Sequence, residues 1–106
     1  MVNFLLNKNQ YKVYGTFRRR KNIAYLPYLD NNRVKDFKSY KVDFNKSPKK
    51  IINIILSIKP DYIVDFASIC MVNQSWQFPQ VYFDINVQYK LNIFKNLKKY
   101  NFLRKY

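Results

Sequence analysis

The sequence predicts an α/β fold built on a parallel sheet. Three observations carry this. Strand-like and helix-like segments alternate along the chain. A helical repeat of isoleucines lies between two extended segments, the order of a strand–helix–strand crossover. An apolar run around Asp65, residues 62–67, has the composition of a strand covered on both faces.

Taken in order, residues 1–8 read as the end of a helix, with Phe4, Leu5 and Leu6 apolar before Asn7-Lys8-Asn9 breaks the pattern. Residues 12–17 read as a strand, rich in residues that favour extended backbone. Gly15, the only glycine of the chain, lies inside it and marks a close approach of another group. The stretch 18–32 is polar and irregular. Residues 38–42 form a second short strand ending at Asp43. Ser47-Pro48 signals a helix start, Ser as N-cap and Pro at the first helical position. Ile51, Ile52, Ile55 and Ile58 then repeat at helical spacing, and Lys59-Pro60-Asp61 stops the helix. After the run 62–67, residues 74–79 read as a loop. Residues 84–100 close the chain as a helix with Leu91, Phe94 and Leu97 along one face.

Composition narrows the class. With 106 residues there is room for one small domain, and 48% hydrophobic residues is too many for a disordered tail. A single Cys allows no internal disulfide and fits a reducing, cytoplasmic setting. No apolar run approaches the ~20 residues of a membrane span, and residues 1–6 lack the features of a signal peptide, so no membrane partner is expected. The balance of 20 Lys and Arg against six Asp gives a net charge of +14. Such a charge points to nucleic acid or anionic lipid. The alternative source is a general bias toward Lys, Asn, Ile and Tyr, and no nucleic-acid motif accompanies the charge. Nucleic acid is therefore not the expected partner. Trp76, Phe78 and Tyr82 read as a packing cluster, with base stacking as the alternative. Cys70 reads as a small buried or half-buried filler, because no His is present to activate a thiol.

Several segments in this order resemble the extended short-chain dehydrogenase/reductases that act on nucleotide sugars, most closely the GDP-mannose 4,6-dehydratase group. They are Tyr11-Lys12-Val13-Tyr14-Gly15-Thr16-Phe17-Arg18-Arg19, Lys41-Val42-Asp43-Phe44, Lys59-Pro60-Asp61-Tyr62-Ile63 with Phe66-Ala67-Ser68, residues 72–76 with Pro79, and Asp84-Ile85-Asn86-Val87. The resemblance covers nearly the whole chain. It implies a partial NAD(P)-binding Rossmann domain over residues 1–106: a doubly wound parallel sheet without the first strand, its Gly-rich turn and the later strands. The lone glycine leaves no Gly-rich turn in the chain.

The resemblance also implies roles. Arg18 and Arg19 follow the second strand, where a guanidinium accommodates the 2′-phosphate of NADP; the alternative is a solvated basic run. Asp43 and Phe44 would flank the adenine, or Asp43 simply ends its strand. Phe66, Ala67 and Ser68 would line the cofactor at the carboxyl end of the fourth strand. Asn86 would hydrogen-bond within the core, while a bulky Tyr89 after it would push its helix outward. Ile69 and Cys70 replace the polar residues usual in the family. No catalytic residue is expected, since no Tyr of the chain has Lys four places on; Tyr100 has Arg104 there. No metal site is expected either. The implied parent is an NADP-dependent dehydratase or epimerase of nucleotide sugars, and this chain is a fragment without activity or useful NADP affinity of its own. Two other functions stand beside it, a small basic nucleic-acid-binding protein and a module that pairs with a full-length homologue. Removing the central first strand leaves the second and fourth strands with unpaired inner edges, each unpaired buried amide costing roughly 1–3 kcal/mol. Three outcomes are open: direct pairing of the second strand with the fourth, a strand added by a partner, or a loosely ordered chain.

Overall fold

A computed structural model describes residues 1–8, 10–19, 26–43 and 46–106. They form a mixed α/β structure in two compact units, Met1–Asp43 and Phe44–Tyr106.

The first unit holds helix α1 (Val2–Asn7), strand β1 (Val13–Phe17) and strand β2 (Phe37–Lys41). The strands pair in parallel, with Val13 opposite Phe37 and Phe17 opposite Lys41, and Val42 extends the pairing by donating its N–H to the Phe17 carbonyl at 3.0 Å. Two short 3-10 turns, Pro27–Asp30 and Val34–Asp36, lead into β2. Leu6, Val13 and Val42 are the buried apolar centre. Gly15 behaves as its place in a strand suggests: a Cβ there would lie 2.7 Å from Cζ of Phe37. That ring is itself held edge-on to Tyr28 at 4.9 Å between centroids, so it has little room to yield. The end of α1 is closed from outside, as Arg33 Nη1 donates to the Leu6 carbonyl at 3.2 Å. This satisfies one of the carbonyls a helix end leaves without an intrahelical partner.

The second unit begins with helix α2 (Pro48–Ile58). Ser47 occupies the N-cap as expected, but its side chain makes no capping bond; its carbonyl accepts from Lys50 N–H instead. The helix stops at Lys59, whose φ of 51° is left-handed. Pro60 disfavours helical geometry in the residue before it, and the left-handed turn is the exit this chain takes, at a cost of about 1 kcal/mol for a non-glycine residue. α2 packs against a second helical run, which buries Ile51, Ile52 and Ile55.

The segment 62–67 is not a strand. Its one bridge is a parallel pairing of Tyr62 with Lys105, so the expected strand–helix–strand crossover is not completed among the described residues. Local bonds explain this. The Ala67 N–H donates to Oδ1 of Asp65 at 2.7 Å and the Ser68 N–H to the Phe66 carbonyl at 2.9 Å, consuming amides that a ladder would need. The segment stays extended nonetheless. Ile63, Asp65, Ala67 and Ile69 are half-buried, while Tyr62, Val64, Phe66, Ser68 and Cys70 between them face solvent, with Phe66 75% exposed. The expected two-sided burial is replaced by the alternation of a segment covered on one face.

The stretch 74–79 is likewise helical rather than a loop. Helices α3 (Val72–Gln77) and α4 (Pro79–Phe83) meet at Phe78, because Pro79 takes the first helical position, where its missing N–H costs nothing. The Tyr82 hydroxyl ties them by donating to the Met71 carbonyl at 2.8 Å. Trp76 and Phe78 do not pack as expected; Trp76 is 83% exposed. α4 runs into a π turn, Asp84–Gln88, and on into helix α5 (Tyr89–Leu97).

The buried residues of this run are Ile85, Tyr89, Ile93 and Leu97, and of the face read from the sequence only Leu97 is buried. Four-residue steps drift by about 40° each on an ideal α-helix. The wider π turn takes up part of that drift between Ile85 and Tyr89 and keeps both on the inner face. Tyr89 is therefore accommodated as a core residue, contrary to the expectation that its bulk would force the helix away.

Candidate functional site

Two groupings of polar side chains stand out, one in each unit. In the first, β1 and β2 end at the same edge because they run in parallel. Arg18 and Asp43 leave that edge next to each other, with Nε of Arg18 3.6 Å from Oδ2 of Asp43. Both side chains retain solvent access, and Arg19, the next residue in the chain, is exposed. An ion pair of this length and exposure stabilises by no more than about 1 kcal/mol. A phosphate can therefore recruit the Arg18 guanidinium at small cost. Phe44, expected to accompany Asp43, lies outside the described residues.

In the second unit Asp65 is the hub. Its Oδ1 accepts the Ala67 N–H, while its Oδ2 lies 3.2 Å from Nζ of Lys90 and accepts from the Tyr106 hydroxyl at 3.1 Å. Lys90 Nζ also donates to the Ser68 hydroxyl at 3.0 Å. Below this, Asn86 makes a reciprocal pair with Ile69, accepting from its N–H at 3.0 Å and donating to its carbonyl at 2.8 Å. The side-chain amide thus stands in for a strand neighbour, in the role expected of it. Phe94 packs its ring 4.4 Å from that of Tyr106.

Burial, and then the neighbouring charge, push two phenols well above the ordinary tyrosine range. For Tyr89 the charged neighbours are Tyr106 and then Asp65; for Tyr106 the Asp65 carboxylate both repels a phenolate and accepts the phenol's proton in a hydrogen bond. A raised folded-state pKa means that the protonated form is favoured by folding. The stabilisation is complete below the unfolded value of about 10 and is lost as pH rises through the folded values. In an alkaline titration followed by tyrosinate absorbance, Tyr89 and Tyr106 are expected to ionise last of the ten tyrosines, together with loss of helical circular dichroism. Early ionisation of all ten with the helices intact would contradict this account.

The residues expected to line a cofactor thus fall into two groups. Arg18 and Asp43 meet at one sheet edge of the first unit, and Arg19, next in sequence, is exposed. In the second, Ala67 is half-buried and Phe66 exposed, and Ser68 accepts from Lys90. Cys70 is exposed rather than a filler. The Asp65 cluster was not anticipated, although a lone carboxylate inside an apolar run is a signal that a charged or hydrogen-bonding partner must exist.

Among the described residues no helix is long and apolar enough to cross a membrane. No curated protein matches the sequence. The family model described as GDP-mannose 4,6 dehydratase matches residues 1–106, the full length of the chain. With that match over every element described above, the chain belongs to the GDP-mannose 4,6-dehydratase-like family, a relative of the short-chain dehydrogenase/reductases.

Proposed function

We propose that the chain is part of the NADP-binding domain of a cytoplasmic nucleotide-sugar 4,6-dehydratase or epimerase, holding the adenosine end of the cofactor and no catalytic group. In this reading β1 and β2 are the second and third strands of a partial Rossmann domain spanning residues 1–106, and 62–67 is the segment of the fourth. The observation that carries it is the meeting of Arg18 and Asp43 at the carboxyl edge of adjacent parallel strands, the edge where open α/β sheets bind ligands.

The residues fit one end of the cofactor. Arg18 and Arg19 offer forked donors to a 2′-phosphate, and Asp43 offers a carboxylate to the adenine amine. Phe44 would lie beside the base, with Phe66, Ala67 and Ser68 toward the ribose and phosphates. The one glycine is packed against Phe37 and so is not free to form a Gly-rich turn around the pyrophosphate. The nicotinamide of a bound cofactor supplies hydride chemistry; the chain's own residues contribute only recognition of the adenosine end. Affinity for whole NADP is accordingly weak, and turnover of a nucleotide sugar by this chain alone is not expected.

Adenosine 2′-monophosphate and adenosine 5′-monophosphate carry the same charge, so comparing them isolates recognition of the 2′ position. In an NMR titration at millimolar ligand, the 2′ isomer is expected to shift Arg18, Arg19 and Asp43. It should bind about tenfold more tightly than the 5′ isomer, and Arg18→Ala should abolish the difference. Equal binding of the two isomers, or a clear thermal shift with micromolar NADP, would defeat this reading.

A further inference from the structure

Beside the Asp65 cluster the second unit has a hollow of about 460 Å³. Tyr62, Ile63 and Val64 line it from the extended segment, and Lys105 and Tyr106 from the stretch that bridges to that segment. Asp65 and Lys90 complete the wall. None of these residues is among those assigned to the cofactor. A volume in this range, a largely apolar wall and a few converging polar groups are what a small-molecule site requires.

The charges of the wall are unequally satisfied. Asp65 is fully engaged, with Oδ1 accepting from Ala67 and Oδ2 from Tyr106 beside Lys90 Nζ. Lys90 is compensated in turn by that carboxylate and donates to the Ser68 hydroxyl. Lys105 differs. Its backbone is anchored, because its carbonyl accepts from Ile63 N–H at 3.0 Å and its N–H donates to the Asp61 carbonyl at 3.3 Å. Its side chain is exposed and forms no ion pair among the described residues, and the Asp61 carboxylate is taken by Arg104. Two ammoniums against one carboxylate leave the wall with a single positive charge. That charge matches a monoanion, whereas a dianion would bring a second negative charge close to Asp65 with nothing to offset it.

The body of the ligand follows from the rest of the wall. Tyr62 is 56% exposed and offers its ring, and Tyr106 contributes a second ring whose hydroxyl is already engaged by Asp65. Two aromatic rings beside Ile63 and Val64 suit a flat apolar body, which packs offset or edge-on against such rings.

We propose that the hollow lined by Tyr62, Val64 and Tyr106 binds a small aromatic monocarboxylate. Its ring lies against the tyrosines, and its carboxylate accepts a charge-assisted hydrogen bond from Lys105 Nζ.

The test titrates the full chain with benzoate at constant ionic strength and follows backbone amide shifts by NMR. Shifts are expected to concentrate at residues 62–65 and 104–106, with a Kd of a few millimolar. Benzyl alcohol keeps the ring without the charge, and cyclohexanecarboxylate keeps the charge without the flat ring. Each should bind about fivefold more weakly. Lys105→Gln should abolish the preference for benzoate over benzyl alcohol with an unchanged melting curve. Lys12→Gln removes the same charge from an exposed position of the first unit and should leave the preference intact. Equal loss in these two variants would overturn the proposal by showing that net charge alone attracts the acid. So would equal affinity for benzoate and benzyl alcohol, or shifts spread over the whole chain. Tighter binding of dianionic phenyl phosphate would also overturn it, by assigning the hollow to a phosphate.

Discussion

Asp65→Ala is expected to destabilise the second unit by about 2–3 kcal/mol, as measured by denaturant unfolding. The carboxylate serves three groups at once: the Ala67 N–H, the Tyr106 hydroxyl and the Lys90 ammonium. Removing it leaves Lys90, largely shielded from solvent, with only the Ser68 hydroxyl among these contacts, and removes the local bond that shapes residues 65–67. Uncompensated charge, rather than lost packing, is the main source of the effect. Asp65→Asn keeps an acceptor for Ala67 and should recover part of the loss. A double variant, Asp65→Ala with Lys90→Met, should also recover part, because no ammonium then remains to be compensated. A change below about 0.5 kcal/mol for Asp65→Ala would show that the cluster is incidental to the fold.

Ile93→Ala should cost about 2–4 kcal/mol. Ile93 is 4% exposed and lies at the middle of the buried row Ile85, Tyr89, Ile93 and Leu97, on the helix that packs against α2. Truncation removes apolar burial and opens a cavity that neighbours on two helices cannot readily fill. Leu91→Ala, two residues earlier and about half exposed, is the matched control and should cost well under 1 kcal/mol. Equal effects would mean that the burial pattern of this helix has been wrongly assigned.

Features governed by neighbours in sequence were legible. The start of α2 at Ser47-Pro48, its isoleucine repeat and its end before Pro60 follow from local chemistry, as do β1 and the tight packing at Gly15. Features governed by distant partners were not. The composition of 62–67 gives an extended backbone, but a ladder needs a neighbouring strand, and the bonds at Asp65 and Phe66 turned those amides inward. The last helix contains two apolar stripes, and periodicity cannot say which one the fold buries. At the site, Arg18 and Asp43 were reached through family likeness and are brought together by the parallel register of β1 and β2. The Asp65–Lys90–Tyr106 cluster joins residues up to 41 positions apart, which no local pattern encodes.

The accessible Cys70 has a practical use. As the chain's sole thiol it offers a single address for a fluorescent or spin label, with no other cysteine to remove. It follows directly on Ile69, which Asn86 grips by both backbone groups. A probe attached there would tumble with the helix while that grip holds and independently once it opens. One labelling reaction would thus turn the attachment of the 62–70 segment into a spectroscopic signal.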